Sequence, residues 1–173
     1  MVKERSKVMI FTEGTILMHG SGAGRSREEI VKQVIGDEKS VREFGAYVPI
    51  GGAPSKMGKW KDQGCSILYL TSRTEPDEVE DIGHVLRRHD FPDGVLLFRR
   101  EGEEYKDVVE RVIPGILIED DCESIGGVSE MAITRVEPEI RRKISSISVR
   151  EFEGVDHLPD DLVQLRSMGR IST

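Results

Sequence analysis

Residues 8–15 read VMIFTEGT, an apolar run followed at once by a polar turn. The first four residues are all apolar, which is typical of a strand covered on both faces in a parallel sheet. Thr12, Glu13, Gly14 and Thr15 come next. Ligands of parallel sheets bind beyond the carboxyl ends of the strands, so this turn is where chemistry is expected. The stretch therefore predicts the first strand of an α/β fold with a site beside it.

Further apolar runs follow along the chain, and amphipathic segments lie between them. The runs cover residues 67–70, 95–98 and 116–118, with a weaker one at 131–134. Helices are predicted at 26–35, where Ser26 and Glu29 form a capping box, within 53–63, from Thr74 onwards, and around Tyr105 before Pro114. This alternation implies right-handed crossovers and an α/β, Rossmann-like three-layer sandwich with a mainly parallel sheet.

One domain accounts for the whole chain, residues 1–173. Residues 18–50 are rich in glycine and contain one predicted helix, so we expect a small insertion after the first strand. Residues 144–173 are expected to form a C-terminal extension, with a strand at 147–152 and a short helix at 160–166.

The composition excludes several classes of protein. Lys plus Arg is 25 and Asp plus Glu is 32, a net charge of −7, which argues against a nucleic-acid binder. No apolar run approaches the ~18 residues of a membrane span. Cys65 and Cys122 are too few for a disulfide framework, and the first residues lack the core of a signal peptide. We therefore expect a reduced, cytoplasmic protein, and leave open whether it forms a homo-oligomer.

Polar residues with phosphate and metal chemistry follow several of the predicted strands. Thr71 and Ser72 follow the second strand, Lys106 opens the fourth helix, and Asp120 and Asp121 follow the fourth strand. Hydroxyl and amide groups hold phosphate oxygens, a lysine neutralises their charge, and carboxylates hold Mg²⁺.

In this order the elements resemble the four motifs of the haloacid dehalogenase superfamily, most of whose members are Mg²⁺-dependent phosphohydrolases. The D-x-D-G-T motif of that family corresponds to F-T-E-G-T at 11–15, and its strand ending in Thr or Ser to I-L-Y-L-T-S-R at 67–73. Its helix-opening lysine corresponds to Lys106, and its acidic fourth motif to I-E-D-D-C-E-S-I-G-G at 118–127. The resemblance spans residues 7–135.

The resemblance implies a role for each matching residue. Phosphate would be bound by Gly14, Thr71, Ser72 and Lys106. Mg²⁺ would be bound by Asp120 with Asp121 or Glu119, and with Glu13. Glu13 would serve as an acid/base and Lys106 as a catalytic cation.

Three departures from the family pattern bear on activity. Phe11 stands where the family has its nucleophilic aspartate, Glu13 replaces the second aspartate, and Ser124 stands at the closing acid of the fourth motif. A phosphoaspartyl mechanism needs a carboxylate nucleophile, which a phenyl ring cannot replace. We therefore expect weak Mg²⁺ binding and no turnover by the covalent route.

Three functions are compatible with this pattern. The first is a binding or regulatory protein with a degenerate pocket for phosphate and Mg²⁺, whose ligand is a small phosphorylated molecule. The second is a phosphohydrolase that uses metal-activated water with Glu13 as the base. The third is a structural or interaction subunit.

The segment Gly20-Ser21-Gly22-Ala23-Gly24-Arg25-Ser26 resembles a phosphate loop. It lacks the lysine, is one residue short, and does not directly follow a strand, as a P-loop requires. A nucleotide-binding P-loop is therefore not expected, and an anion-binding turn at the start of the next helix is the alternative.

Overall fold

A five-stranded parallel sheet forms the centre of the molecule. The computed structural model of the chain describes residues 5–169. Its strands are β1 (Lys7–Phe11), β2 (Leu17–Met18), β3 (Val48–Pro49), β4 (Ser66–Leu70), β5 (Gly94–Leu97), β6 (Ile116–Asp120) and β7 (Ser145–Val149). The central sheet has the order β5-β4-β1-β6-β7, whereas β2 and β3 form a separate antiparallel pair.

Helices cover both faces of the central sheet. They are α1 (Arg27–Ile35), α2 (Ala53–Asp62), α3 (Pro76–Arg88), α4 (Tyr105–Val112), α5 (Pro138–Arg141) and α6 (Leu162–Met168). Short 3₁₀ helices cover Gly20–Gly22, Lys39–Arg42, Phe44–Ala46, Glu123–Ile125, Val128–Glu130 and Ala132–Arg135. This is the three-layer α/β fold that the sequence predicts.

Successive side chains of β1 enter the two opposite layers, as the pleat of a strand requires. Val8 and Ile10 pack in one core with α2, α3 and α6, and Met9 packs in a second core with α4. All three are fully buried. An uninterrupted apolar run was therefore a sound indication of a strand that is covered on both faces.

The strand order reverses at β1, which fixes where the crevice lies. The chain proceeds from β1 to β4 and β5 on one side, and β6 and β7 then add on the other side. Ile10 is in register with Tyr69 of β4 and with Ile118 of β6. The turn after β1 therefore lies between the carboxyl ends of β4 and β6, which is the position where such sheets bind ligands.

The segment after β1 forms a small cap over this edge. Leu17 of β2 pairs with Pro49 of β3 and so closes the base of the segment. α1 lies between these two strands, and Ser26 caps its N-terminus. The Ser26 hydroxyl accepts the Glu29 N–H, and the Glu29 carboxylate accepts the Ser26 N–H. The predicted capping box is therefore present.

Three sequence predictions differ from the structure. The weak run at 131–134 is not a strand, because Ala132–Arg135 forms a 3₁₀ helix. The N–H groups of Ala132 and Ile133 donate to the Glu119 carboxylate, and the apolar residues of this helix pack against the sheet. The tail strand is Ser145–Val149 rather than 147–152, since Phe152 adopts a positive φ of 64° that ends the extended chain. The last helix begins two residues late, after Asp161 caps it.

The run at 95–98 also behaves differently from the other strands. It forms β5, at one edge of the sheet, and Val95 is 56% exposed. Edge strands are covered less than central ones, so continuous apolarity here does not reflect burial on both faces.

Among the helices of the described residues, none combines the length and apolarity needed to span a lipid bilayer.

Candidate functional site

A cavity of about 490 Å³ opens at the carboxyl edge of the sheet, under the cap formed after β1. Its floor includes Phe11 from the end of β1, Ser72 from beyond β4 and Asp120 from the end of β6. Five of the nine aromatic residues of the chain line it: Phe11, Phe44, Tyr47, Tyr105 and Phe152. The sheet therefore brings the ends of β1, β4 and β6 to one place, as the motif order predicts.

Phe11 is anchored in an aromatic contact. Its ring lies 5.2 Å from the ring of Tyr105, the first residue of α4, with an angle of 72° between the planes. This edge-to-face arrangement is a favourable aromatic geometry. The position that the resemblance assigns to the nucleophile thus holds a side chain packed as an apolar residue.

Glu13 points toward the end of β4. Its carboxylate accepts a hydrogen bond from the Thr12 hydroxyl at 2.6 Å, one from the Thr71 hydroxyl, and one from the Ser72 N–H at 3.0 Å. Two of the four residues that the resemblance assigns to phosphate, Thr71 and Ser72, therefore donate to a carboxylate of the chain itself. Glu13 is held on the side of β1 that faces β4, whereas β6 lies on the other side.

Gly14 lets the turn pass close to the carboxylates. It has a φ of +84°, and a Cβ on it would lie 3.0 Å from Oδ2 of Asp120 and 3.3 Å from Cγ of Glu151. The next residue, Thr15, donates a hydrogen bond to the same Asp120 oxygen at 2.9 Å. The G-T pair therefore sets the distance between the β1 turn and β6.

Three carboxylates form an acidic cluster beside this turn. Ligand oxygens of Asp120, Asp121 and Glu151 all lie within 4.8 Å of one another. Asp120 accepts the Cys122 N–H at 2.9 Å, and Asp121 accepts the Glu151 N–H at 3.1 Å. The sequence prediction named Asp120 and Asp121 but missed Glu151. The strand-end rule did not point to Glu151, because the predicted tail strand at 147–152 includes this residue, whereas β7 ends at Val149.

Ser124 stands where the resemblance places the closing acid of the fourth motif, and it donates two hydrogen bonds to the Glu151 carboxylate. Its N–H donates to Glu151 Oε2 at 2.7 Å and its hydroxyl donates to Oε1 at 2.6 Å. A carboxylate from a more distant part of the chain therefore lies beside the position where the fourth motif lacks one.

Burial is the main cause of the raised pKa values in the acidic cluster. Loss of solvent raises the pKa of Asp120 and of Glu151, while their hydrogen bonds oppose the shift and neighbouring acids add to it. Burial likewise raises the pKa of the Cys122 thiol, and the surrounding carboxylates raise it further. Cys122 is therefore a neutral thiol rather than a nucleophile at neutral pH.

Glu119 binds the backbone of the 3₁₀ helix Ala132–Arg135, a contact that the structure does not give to Asp120 or Asp121. It is 2% exposed, and its two oxygens accept the N–H groups of Ala132 and Ile133 at 2.7 and 3.1 Å. Burial raises its pKa to about 7 against the effect of those bonds. Its carboxyl group therefore anchors the 3₁₀ helix over the sheet.

The cationic residues at the cavity differ from the predicted one. Lys106 lies half-buried on α4 and is not among the residues that line the cavity. The lining cations are Arg42 and Arg73. Arg73 lies 4.4 Å from the Phe44 ring centre, 3.7 Å from Glu78, and donates to the Ser72 hydroxyl. Sequence reasoning missed Arg73, although it directly follows the predicted Thr71 and Ser72.

The Gly-rich segment at 20–26 lies outside the cavity. Gly20–Gly22 forms a 3₁₀ turn, and one of the first amides of α1, the Glu29 N–H, donates to the Ser26 hydroxyl. The segment is thus a connection into α1.

Comparison with known proteins supports the fold. No protein-family model and no curated protein matches the sequence. A class C acid phosphatase from Bacillus anthracis, solved with tungstate bound, has a TM-score of 0.54 and 11% identity over 88% of this chain and 70% of its own. A chain of the Pnkp1/Rnl/Hen1 complex has a TM-score of 0.47 and 18% identity over 86% of this chain and 48% of its own. The likeness to the acid phosphatase shows that this chain shares its α/β fold.

Proposed function

We propose that this chain is a binding protein that has kept the fold and the pocket of a phosphatase but does not transfer phosphoryl groups. The observation that carries the proposal is the contact of Phe11 with Tyr105. A covalent route requires a carboxylate oxygen within about 3.5 Å of phosphorus, and the resemblance assigns that carboxylate to position 11, where this chain has a phenyl ring.

Glu13 does not supply the missing chemistry. A base for a metal-activated water must reach that water, but the Glu13 carboxylate is engaged by three donors at the β4 side. Asp120 and Glu151, where a cation would lie, are on the β6 side of β1. This separation favours the binding protein over the hydrolase that uses metal-activated water.

The acidic cluster fits a hard divalent cation such as Mg²⁺. Its three carboxylates provide the oxygen ligands that such ions prefer. Arg27 pairs with Glu123 and donates to the Glu151 carbonyl rather than to the three carboxylates. When bound, the cation would supply positive charge for an anionic ligand group. Asp120, held by Thr15, and Glu151, held by Ser124, would orient it.

The proposed ligand is a small phosphorylated molecule attached through the cation. The phosphate donors at the end of β4 are engaged by Glu13, so the phosphate would reach the cluster on the β6 side. The aromatic walls would contact the remainder of the ligand. A role as a structural subunit would leave such a cavity without use.

The test is to measure binding and turnover separately. Calorimetry with MgCl₂ should show binding to the wild-type chain and none to Asp120→Asn. An assay with p-nitrophenyl phosphate and Mg²⁺ should show no turnover above that of Asp120→Asn. Mg²⁺-dependent hydrolysis that is lost in Glu13→Gln would instead establish the hydrolase.

A further inference from the structure

We infer that the donors at the end of β4 form an oxyanion site that the chain keeps filled with its own Glu13 carboxylate. We call the hydroxyl groups of Thr12 and Thr71 and the N–H of Ser72 the β4 cradle. The inference goes beyond the proposed function, because the cradle lies on the opposite side of β1 from the acidic cluster and needs no cation.

The directions of the hydrogen bonds show that the cradle is built for an acceptor. Thr71 and Thr12 are fully buried. The Thr71 hydroxyl accepts the Arg73 N–H at 3.1 Å, so its single proton is left to donate to Glu13. The Ser72 N–H is a backbone donor that cannot become an acceptor. Three donors thus converge on one carboxylate from two neighbouring strand ends.

A positive charge stands beside the cradle. The Arg73 guanidinium donates to the Ser72 hydroxyl, and its side chain is 30% exposed toward the cavity. Two hydroxyls, a backbone amide and a guanidinium are the groups that hold tetrahedral oxyanions in proteins. With Glu13 shortened, the Thr12 hydroxyl still has the Leu70 carbonyl at 3.5 Å, but the Thr71 hydroxyl and the Ser72 N–H lose their acceptor, and leaving buried donors unpaired is costly. An anion that enters would restore the lost bonds.

In the wild-type chain a free oxyanion must displace a carboxylate attached to the neighbouring residue. A tethered competitor acts at a high effective concentration, so we expect free phosphate to bind much more weakly to the wild-type chain than to a chain without the Glu13 carboxylate. Glu13 therefore makes the cavity insensitive to inorganic phosphate and to phosphate esters that would otherwise enter at β4. Ligands of this protein must bind through other contacts.

The experiment is a tungstate titration in buffer with EDTA, followed by calorimetry and by thermal unfolding. Tungstate is a tetrahedral oxyanion, and the chelator removes any contribution of the acidic cluster. The wild-type chain should show no binding, whereas Glu13→Ala should bind at least about tenfold more tightly and unfold at a higher temperature with tungstate. Adding Thr71→Val to Glu13→Ala should abolish the gain.

The matched control is Glu130→Ala. Glu130 also lines the cavity but pairs with Arg135, so its removal changes the charge equally without opening the cradle. A folded Glu13→Ala that binds no better than Glu130→Ala would refute the inference, as would wild-type binding of equal strength. If Glu13→Ala does not fold, Glu13→Ser decides, because its side chain is too short to reach Thr71 or Ser72: it should gain affinity over the wild type, and no gain refutes the inference. Failure of the wild-type chain to bind Mg²⁺ would count against the proposed function and would leave the inference about the β4 cradle unaffected.

Discussion

The Thr15 hydroxyl lies 2.9 Å from Oδ2 of Asp120, which is 105 residues further along the chain. This bond joins the turn after β1 to the end of β6 and fixes one oxygen of Asp120 in a buried setting. The other oxygen is held by the Cys122 N–H. The geometry of Asp120 is therefore set before any cation arrives, and lone pairs on both oxygens remain for a metal.

Replacing Asp120 by asparagine should abolish Mg²⁺ binding with little loss of stability. The amide keeps the shape: its oxygen can accept the Cys122 N–H, and its NH2 group can donate to the Thr15 hydroxyl, which also acts as an acceptor. The substitution removes one negative charge from the cluster. Thermal unfolding with and without MgCl₂ measures the effect, and the wild-type rise in Tm should disappear. Glu151→Gln should reduce the rise, because Glu151 contributes a ligand oxygen. An Mg²⁺ response unchanged in both variants would place the metal elsewhere.

Gly14→Ala should destabilise the protein more than Gly24→Ala. Both glycines have a positive φ, +84° and +75°, so both substitutions carry backbone strain of about 1 kcal/mol. Only Gly14 also faces the carboxylates, with Oδ2 of Asp120 at 3.0 Å from the added Cβ. We expect a total loss of about 2–3 kcal/mol at Gly14.

Urea unfolding of the two glycine variants measures this difference directly, and Gly24→Ala serves as the control because nothing lies within 4 Å of its added Cβ. Mg²⁺ affinity should fall in Gly14→Ala and stay at the wild-type value in Gly24→Ala. Equal losses of stability would mean that the approach to Asp120 has no energetic consequence.

The sequence predicts the fold and part of the site because the relevant patterns are local. Residues 67–70 and 116–118 are apolar throughout, so their strands and the polar residues after them are predictable. Glu151 is different, since its position beside Asp120 depends on β7 packing against β6. The direction of the Glu13 side chain is likewise unpredictable, because two of its three donors, Thr71 and Ser72, lie 58 and 59 residues further along the chain.

Acidic conditions should stabilise the protein. The folded chain keeps the Glu119 proton up to a pH of about 7, whereas the unfolded chain releases it near its ordinary pKa of 4.5. The free energy of unfolding should therefore be highest below this window and fall as the pH rises through it, by about 3 kcal/mol for Glu119. Burial also raises the pKa of Asp120 and Glu151, which adds to the effect in the same direction.

Urea denaturation at about pH 5 and about pH 8 measures this dependence. Glu119→Gln should reduce the difference between the two values, because the amide does not titrate. Glu139→Gln is the control, as its side chain is 83% exposed and should leave the dependence unchanged. A protein that becomes more stable toward alkaline pH would contradict the buried, raised pKa of Glu119.

Restoring both acids of the first motif, with Phe11→Asp and Glu13→Asp together, should tighten Mg²⁺ binding and produce measurable hydrolysis of p-nitrophenyl phosphate. Aspartate at position 11 adds a carboxylate between the ends of β4 and β6, and the shorter residue 13 withdraws from Thr71 and Ser72. Phe11→Asp alone should tighten Mg²⁺ binding without turnover, because the Glu13 carboxylate still fills the phosphate donors. The change also removes the aromatic contact with Tyr105, at a cost of about 1 kcal/mol.

Phe98→Asp makes the same chemical change at a residue that is 41% exposed and does not line the cavity, and it should leave Mg²⁺ affinity at the wild-type value. If the double variant folds but binds Mg²⁺ no more tightly than the wild-type chain, Phe11 does not stand at a metal-ligand position, and its presence does not explain the absence of turnover.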